Sequence, residues 1–466
     1  MNNILRIQEI EITNLKNVSN GKITFDSYKK KDFFLNSYKA DILGLYGQNG
    51  SGKTSMIESI DLLKVILSGE EINENVRYLL SYNTNSSAFK YTFTIQIEEI
   101  KYMVYYSFKL RYNIDDDRLE VFEECLKYSD IDMENKKVSP IKSIIEFNMD
   151  DESDNIFSPV RNYRLIKKLP DDIRTNLIVS KELAKEKSTS FIFNKKSLKI
   201  FEEIFKDKNE LYFKIIRSLY NYAIATFVIK NDYLEHIDLS AIMPLNFILN
   251  SKHSLTKGLF VIKLFETNIV DCDMYDIITK VIEQINIVLQ SLIPGLTLDI
   301  KFVKDELMKN GKDGKVFDLL AVRGNTKIQL KYESDGIKKI ISVLSALIAV
   351  YNNERICVVI DELDSGIFEF LLGELLTVLK ENAKGQLIFT SHNLRALEVL
   401  DKTDVVFTTT NPENRYIKFK NVRKSNNLRD FYLREIFLGE QDEPIYRKTK
   451  SYAISRAFRK AGMTNE

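Results

Sequence analysis

The sequence predicts an α/β protein whose main sheet is largely parallel, and two observations support this prediction. A short apolar strand at 40–46 is followed directly by a glycine-rich loop and by a helical pattern of apolar residues at 56–66. In the second half of the chain, apolar strands at 355–360, 386–390 and 404–408 alternate with amphipathic helical segments. Strands that alternate with helices are typical of parallel sheets with helices on their faces.

The chain divides into four segments by pattern. Residues 1–130 contain the glycine-rich loop and then an aromatic-rich alternation from 89 to 128, which predicts an antiparallel β-meander. Residues 131–295 are mostly helical in period and are expected to form an insertion or lid. Strands and helices alternate again in 296–410, and a basic tail follows at 411–466. We therefore expect a core that is split between the first and third segments.

Composition is that of an ordinary globular protein. Of the 466 residues, 44% are apolar and 29% are charged, which is enough to bury a core. The 67 basic and 66 acidic residues give a formal net charge of +1. This balance provides no overall field that attracts nucleic acid, so any such contact must come from a local patch.

The cysteine pattern and the lack of long apolar runs indicate the cellular compartment. Cys125, Cys272 and Cys357 are far apart and form neither a disulfide framework nor a zinc-site pattern. We expect three buried free thiols in a reducing environment. The sequence has no secretory signal pattern and no run of 18 apolar residues. A cytoplasmic protein without membrane contact is therefore expected.

The most specific motif is the glycine-rich loop GQNGSGKT, which fits G-x-x-x-x-G-K-[ST]. Glycines let the backbone wrap closely around phosphates, and the N-terminus of the following helix favours the same anion. In such a loop the lysine reaches the β- and γ-phosphates of ATP, and the last hydroxyl binds Mg²⁺. The candidate nucleotide-binding residues are Gly47, Asn49, Gly50, Ser51, Gly52, Lys53, Thr54 and Ser55.

The second motif is a pair of carboxylates, Asp361 and Glu362, directly after the apolar residues 357–360. Two acids at the end of a strand can simply be a solvated strand end, but beside the glycine-rich loop the catalytic interpretation is favoured. Asp361 would hold Mg²⁺, mostly through water. Glu362 would orient and deprotonate the water that attacks the phosphate.

Two further motifs are weaker on their own. His392 follows the apolar strand 386–390, where it could sense the γ-phosphate through a hydrogen bond or could be structural. Ser334 and Gly336 lie at the start of a predicted helix, and the simple interpretation of Ser334 is a helix cap. The alternative is a phosphate-binding helix terminus, which in a dimer would serve the nucleotide of the opposite subunit.

Taken in order, GQNGSGKT, SDGIKK, VVIDELDSG and FTSH resemble the ABC-type ATPase heads of the SMC, Rad50 and RecF group. Within that group they look most like the ATPase part of the OLD (overcoming-lysogenisation-defect) proteins and their relatives in bacterial anti-phage systems. The resemblance covers about residues 1–130 and 296–410. It implies a P-loop NTPase that uses ATP and Mg²⁺ and dimerises head to head with two ATP molecules between the heads.

The resemblance also implies a role for each motif. Lys53 and Thr54 would bind the nucleotide of their own subunit, whereas Ser334 and Gly336 would be the signature that contacts the nucleotide of the partner. The remaining roles are Walker B residue for Asp361, catalytic base for Glu362, D-loop residue for Ser365 and switch histidine for His392. Two departures stand out, because the signature reads S-D-G-I rather than S-G-G-Q and no Q-loop glutamine is evident.

OLD nucleases carry a Toprim nuclease domain after the ATPase, and the tail of this sequence is too short for one. The D-x-D spacing of Asp271 and Asp273 precedes the signature and indicates a helix N-terminus. The chain thus resembles the separate ATPase subunits of two-gene defence systems such as PARIS and Septu. Our hypothesis is an ATPase that assembles through its heads and controls a separate effector protein. The alternative is a DNA-repair ATPase similar to RecF or Rad50 that acts on duplex DNA, and a transporter subunit is disfavoured.

The tail, residues 411–466, carries 13 Lys and Arg against 7 Asp and Glu. Six of the basic residues surround Tyr446, Tyr452 and Phe458. This pattern is compatible with a docking surface for nucleic acid or for an acidic partner. The interpretation that we favour is an amphipathic terminal helix whose basic face is only solvated.

Overall fold

The structure is a computed structural model of the chain. It describes residues 3–462 except for 26–39, 81–83, 85, 136, 154, 167–169, 207–208, 231–241, 251–254 and 421–426. The described strands are β1 (Ile4–Leu15), β2 (Val18–Thr24), β3 (Asp41–Tyr46), β4 (Ser87–Ile97), β5 (Ile100–Asn113), β6 (Arg118–Asp132), β7 (Lys137–Val138), β8 (Lys142–Asn148), β9 (Thr226–Ile229), β10 (Ile242–Asn250), β11 (Leu255–Lys263), β12 (Asn268–Asp271), β13 (Leu296–Leu307), β14 (Asp313–Arg323), β15 (Thr326–Gln329), β16 (Cys357–Ile360), β17 (Gln386–Thr390), β18 (Val405–Thr408) and β19 (Tyr416–Ile417). The described α-helices are α1 (Lys53–Ser68), α2 (Val160–Tyr163), α3 (Asp171–Glu186), α4 (Lys195–Phe205), α5 (Glu210–Ala225), α6 (Cys272–Leu292), α7 (Asp335–Asn352), α8 (Glu369–Asn382), α9 (Ala396–Val399), α10 (Leu428–Leu438) and α11 (Ser451–Gly462).

The core sheet has the strand order β19-β18-β3-β17-β16-β9. Strands β18, β3, β17, β16 and β9 run parallel, and β19 is antiparallel at the edge. The four central strands are fully buried, as expected for a parallel sheet covered on both faces. The predicted mainly parallel sheet is confirmed, and its five parallel strands direct their carboxyl ends to one edge.

A second, antiparallel sheet contains the predicted meander. Strands β4, β5 and β6 follow one another by hairpins, and β1 and β2 extend the sheet on the β4 side. Helix α1 packs between this sheet and the core, and its apolar face belongs to the same cluster as the inward aromatic residues of β4. The Tyr91 hydroxyl donates to the Ser59 carbonyl at 2.8 Å, which fixes the meander to α1. The glycine-rich loop therefore precedes a helix that is held on two sides.

Helices α3 to α6 lie in 131–295, as the sequence predicted, but less than half of the described residues of this segment are helical, because strands β7 to β12 also lie there. One of these strands, β9, pairs in parallel with β16 in the core sheet. The chain thus returns to the core sheet once more before the third segment begins. The predicted start of α6 is also observed, because the Asp271 side chain caps this helix by accepting from the Met274 amide at 2.9 Å.

The tail contributes two helices of opposite character. Helix α10 packs on the core through Tyr432, whose ring stacks on Phe407 at 5.2 Å between centroids. Helix α11 has no buried residue at all. Among the described residues, no helix combines the length and the apolar character needed to cross a membrane.

One expectation about the cysteines is wrong. Cys357 is buried in β16 and Cys125 is half-buried, and all three thiols are free. Cys272, however, is exposed. The reason is its position as the first residue of α6, where the helix N-terminus faces solvent.

Candidate functional site

The glycine-rich loop joins β3 to α1, and its lysine points back into the loop. Lys53 is the first residue of α1, and its Nζ donates to the carbonyls of Gly47 and Gln48 at 2.9 and 3.1 Å. Gly52 stands at the N-cap with φ 91, in the left-handed region, and provides no side-chain cap. The first turn of α1 also contains no acidic residue. Its amide groups are therefore oriented for an anionic ligand.

Gly47 shows why the loop requires glycine. A Cβ atom at this position would lie 1.7 Å from Oγ1 of Thr408. The Thr408 hydroxyl in turn contacts Oγ of Ser51 at 2.5 Å, so the end of β18 supports the loop from behind. The loop is a preformed cradle whose inner wall has no room for a side chain.

A cleft of about 340 Å³ opens at the carboxyl edge of the core sheet. It brings together ten of the residues singled out by the sequence, whereas Gly47 is buried behind it. Ser334 and Gly336 do not line this cleft. The lining residues are Lys16, Asn17, Asn49, Gly50, Ser51, Gly52, Lys53, Thr54, Ser55, Asp361, Glu362 and His392.

The two carboxylates are positioned by the neighbouring strand. Oγ1 of Thr390, at the end of β17, donates to Asp361 Oδ1 at 2.5 Å and accepts from the Glu362 amide at 2.7 Å. The Thr390 carbonyl accepts from the Leu363 amide at 3.0 Å. Glu362 itself has φ 47, which is a left-handed conformation that side chains larger than glycine rarely adopt. Strained backbone of this kind clusters at functional sites.

Charge and burial shift the titration of the cleft residues. Burial lowers the pKa of Lys53, and the carboxylates of Asp361, Glu362 and Asp364 oppose this shift. Burial also raises the pKa of Glu362, and the negative charges of Asp361 and Asp364 raise it further. A carboxylate whose pKa is raised is a better proton acceptor in its ionised form. This arrangement suits Glu362 to the role of general base.

His392 lies at the tip of β17, on the exposed side of the cleft. Its backbone amide donates to Asp364 Oδ2 at 3.0 Å, which ties the two strand ends together. Loss of hydration and the nearby Lys53 ammonium lower the pKa of the imidazole. This shift favours the neutral imidazole, which offers one N–H donor and one acceptor nitrogen.

The site fits a magnesium nucleotide. Thr54 is exposed to the cleft and Asp361 is buried beside it, so one hydroxyl and one carboxylate are available. Mg²⁺ is usually held by one or two protein oxygens together with phosphate oxygens and water. Within the part of the chain that the structure describes, no cluster of three or more metal-ligating side chains exists. This donor set suits a metal that arrives with the phosphates.

The signature residues lie apart from the P-loop of their own chain. Ser334 is exposed and caps α7, because its side chain accepts from the Ile337 amide. Gly336 packs on the turn that follows the carboxylates, where an added Cβ would come within 2.0 Å of the Gly366 carbonyl oxygen. Within one chain, these residues act on α7 and its neighbouring turn. Their contact with a second nucleotide stays a prediction.

Two cleft residues were not assigned to the site from the sequence. Lys16 and Asn17 form the turn between β1 and β2 and line the cleft. Lys16 Nζ pairs with Glu58 on α1 at 2.6 Å, and the Asn17 side chain donates to the Gly50 carbonyl. The only indication in the sequence was a strand of alternating apolar and polar residues that ends in NLKN. This segment is far from the glycine-rich loop along the chain. Only the strand pairing brings it to the phosphate cradle.

Two lysines behind the carboxylates were also missed. Lys230 follows β9, beside the end of β16, and pairs with Asp61 at 2.5 Å. Lys339 lies in α7 and is only 5% exposed. Burial lowers the pKa of Lys339 to about 8, although the carboxylates of Glu362 and Asp361 oppose this shift. Nothing in the sequence distinguishes these two lysines from lysines that are exposed to solvent.

Comparisons with known proteins give matches among solved structures only. No protein-family model and no curated protein matches the chain. An SMC head bound to the C-winged helix domain of ScpA has a TM-score of 0.38 and 11% identity, over 89% of this chain and 98% of that chain. An Smc head domain from Pyrococcus furiosus has a TM-score of 0.38 and 13% identity, over 90% and 97%. The recombination mediator protein RecF has a TM-score of 0.33 and 13% identity, over 83% and 93%.

These similarities are too low to carry an argument about function. The fold rests on the topology and on the loop geometry of the chain itself. A buried parallel strand, β3, runs into the glycine-rich loop and α1, and the acidic end of β16 lies two strands away at the same edge. The chain therefore has an α/β P-loop NTPase fold with an attached antiparallel meander.

Proposed function

We propose that this protein binds ATP with Mg²⁺ and hydrolyses the bond between its β- and γ-phosphates. One observation carries the proposal, namely that Lys53 and Thr54 share one cleft with Asp361 and Glu362. A glycine-rich loop alone would support phosphate binding. The acidic pair adds a metal ligand and a base, which are the groups that phosphoryl transfer to water requires.

The proposed roles follow from position. The amide groups of the loop and Lys53 bind the β- and γ-phosphates, and Thr54 and Asp361 hold Mg²⁺, which neutralises phosphate charge when it is bound. Glu362 orients and deprotonates the attacking water, and neutral His392 donates a hydrogen bond to the γ-phosphate. Lys16 lines the same cleft and supplies a second positive charge for the triphosphate.

We further propose that two heads close on each other with nucleotide between them. Ser334 and Gly336 would complete the site of the partner subunit. This is supported by the exposure of Ser334 and by the open side of the cleft, where Thr54, Asn49 and Gly50 are exposed. A cleft built from the residues of one chain leaves the γ-phosphate side accessible to a second copy.

For the biological role we propose an ATPase that controls a separate effector protein in anti-phage defence. The order and form of the four motifs support this role by their resemblance to OLD-like ATPases. The second candidate is a DNA-repair ATPase that acts on duplex DNA. The exposed helix α11, with Arg456, Arg459 and Lys460, favours this alternative, because clustered basic residues are typical of contacts with phosphates.

The test is the steady-state ATP turnover of the purified chain, measured with and without duplex DNA. Glu362→Gln is expected to keep ATP affinity and to lose roughly 10²-fold or more of the turnover, because a positioned base is removed. Lys53→Ala is expected to lose ATP binding. Turnover that is indifferent to DNA supports the effector-controlling ATPase, whereas strong stimulation by DNA supports the repair function. Normal turnover of Glu362→Gln would place the base elsewhere.

A further inference from the structure

A buried arginine lies beside the glycine-rich loop. Arg415 directly precedes β19 and is only 6% exposed. Its Nη1 donates to the Thr409 carbonyl at 2.8 Å, and its Nη2 donates to the Asn17 carbonyl. Its Nε has no hydrogen-bond partner within the described part of the chain. The guanidinium is thus bonded to two backbone carbonyls, and the described residues supply no carboxylate to it.

The aliphatic part of Arg415 lies next to the loop itself. A Cβ atom added to Gly52 would lie 3.3 Å from Cγ and 3.4 Å from Cδ of Arg415. The next residue continues the contact, because the Tyr416 hydroxyl donates to the Gly52 carbonyl at 2.7 Å. Gly52 is the N-cap of α1, so this pair of residues contacts the helix N-terminus that the loop presents to an anion.

The guanidinium also holds the turn between β1 and β2, which lines the cleft. It bonds to the Asn17 carbonyl, and the Asn17 side chain in turn donates to the Gly50 carbonyl in the loop. The Arg415 amide donates to the Asn20 carbonyl in β2 at 3.1 Å. Arg415 itself does not line the cleft, whereas Asn17 does. The arginine is therefore connected to the phosphate site through this turn.

The charge of Arg415 is buried without an opposite charge from a carboxylate of the described chain. Burial of an ion is unfavourable unless hydrogen bonds and an opposite charge offset the loss of hydration. Arg111 on β5 has the usual arrangement, because it pairs with Glu120 at 2.9 Å and with Asp150 at 2.6 Å. For Arg415, a polyphosphate bound in the glycine-rich loop would bring negative charge close to the guanidinium.

We propose that Arg415 is a positioning residue of the phosphate site, which holds the Asn17 turn against the loop and whose buried charge favours a bound polyphosphate. This inference rests on the proposed nucleotide binding, and it adds the segment after β18 to the determinants of affinity. The effect belongs to binding rather than to the chemical step, since the contacts of Arg415 are with the loop and the turn and not with Asp361 or Glu362.

The experiment measures the affinity of the purified chain for a non-hydrolysable ATP analogue and for ADP. Arg415→Met keeps the aliphatic bulk but removes the charge and both hydrogen bonds. We expect it to weaken binding of the ATP analogue at least tenfold and of ADP only about threefold, because the diphosphate carries less negative charge. Turnover at saturating ATP is expected to stay within about threefold of the wild-type value.

Two further variants separate charge from packing. Arg415→Lys keeps the charge, so its loss of affinity for the ATP analogue is expected to be about threefold. The matched control Arg111→Met removes an arginine of the meander that is paired with carboxylates, and both affinities are expected to stay within about twofold. The losses of Arg415→Met and Asn17→Ala are expected to be less than additive, because both variants release the same turn.

A purely structural role predicts equal losses for the two nucleotides and no rescue by lysine, and this result would overturn the proposal. Unchanged affinity of Arg415→Met, or strictly additive losses with Asn17→Ala, would overturn it as well. If Arg415→Met does not fold, Arg415→Gln takes its place in the comparison with Arg415→Lys, because glutamine keeps an N–H donor without the charge. A wild-type chain that binds neither nucleotide would instead overturn the proposed function itself.

Discussion

Glu362 is held in a left-handed conformation by its neighbours rather than by its own preference. Its amide donates to the Thr390 hydroxyl at 2.7 Å, and the adjacent Leu363 amide donates to the Thr390 carbonyl at 3.0 Å. The same hydroxyl binds Asp361 at 2.5 Å. One residue at the end of β17 thus fixes three consecutive residues after β16. Strain of this kind persists only where the surroundings determine the backbone.

The strain at Glu362 can be measured with a matched pair of substitutions. Glu362→Gly and Glu362→Ala both remove the carboxylate, but only alanine keeps a Cβ at φ 47. We expect Glu362→Gly to be more stable than Glu362→Ala by about 1 kcal/mol, because glycine adopts positive φ without a steric penalty. Urea unfolding midpoints of the two inactive variants give the comparison. Equal stability would mean that the turn relaxes and that no strain is stored at this residue.

At the scale of elements, a buried carboxylate joins the meander to the helical segment. Glu124 on β6 is 1% exposed and accepts from the Ser190 hydroxyl at 2.7 Å and from the Phe191 amide at 2.5 Å. The Tyr106 hydroxyl donates to it at 3.0 Å. Despite these bonds, burial raises the pKa of Glu124 to about 7. The junction between sheet and helices is therefore expected to respond to pH.

The sign of this response follows from linkage. The pKa of Glu124 rises from 4.5 to about 7 on folding, so the folded state holds this proton more tightly than the unfolded chain. Glu124 therefore contributes its full share to the free energy of unfolding below about pH 4.5, and this contribution is lost as the pH rises through about 7. The contribution is on the order of 3 kcal/mol. Urea unfolding at pH 5 and pH 8 measures the difference. The near-isosteric Glu124→Gln should reduce this difference, and an unchanged difference would assign it to other groups.

The contact between α7 and the turn after Glu362 gives a second prediction for the elements. Gly336→Ala places a Cβ 2.0 Å from the Gly366 carbonyl oxygen, so we expect a loss of about 1–3 kcal/mol and of ATP turnover. Helix propensity alone would predict the opposite sign, a gain of up to about 1 kcal/mol. Gly373→Ala in α8 is the control, because the added Cβ meets the Arg395 side chain, which can move. A stabilised Gly336→Ala would show that the helix shifts freely over the turn.

The sequence was sufficient to predict that the glycine-rich loop and the acidic pair lie close together, because both follow strands of one parallel sheet. Parallel strands end at one edge, so a glycine-rich loop after β3 and acids after β16 had to meet. The missed features lack a local signal. Strand β9 has only four residues and lies within a helical segment, so periodicity could not distinguish it. Lys339 has the sequence context of a solvated helical lysine, and only its burial separates it from the others.

At the scale of the whole molecule, the tail contacts the rest of the chain as far as Arg447 and is exposed beyond it. Ile445 is 3% exposed, the Thr410 amide donates to the Pro444 carbonyl at 2.8 Å, and the Arg447 amide donates to the Gln48 side chain in the P-loop at 3.1 Å. Beyond residues 444–447, which we call the strap, α11 has no buried residue. The strap therefore belongs to the folded core of the chain, whereas α11 is exposed.

Two truncations test this division. Removal of 449–466 deletes α11 alone, so we expect the unfolding free energy and the basal ATP turnover to stay at the values of the full chain. Removal of 440–466 also deletes Ile445, and we expect a loss of about 1.5–3 kcal/mol, the value of one buried aliphatic side chain. Because the strap contacts Gln48, this longer truncation should also weaken ATP binding. A shorter truncation that already destabilises the chain would mean that α11 packs on the head in solution and is not a free docking element.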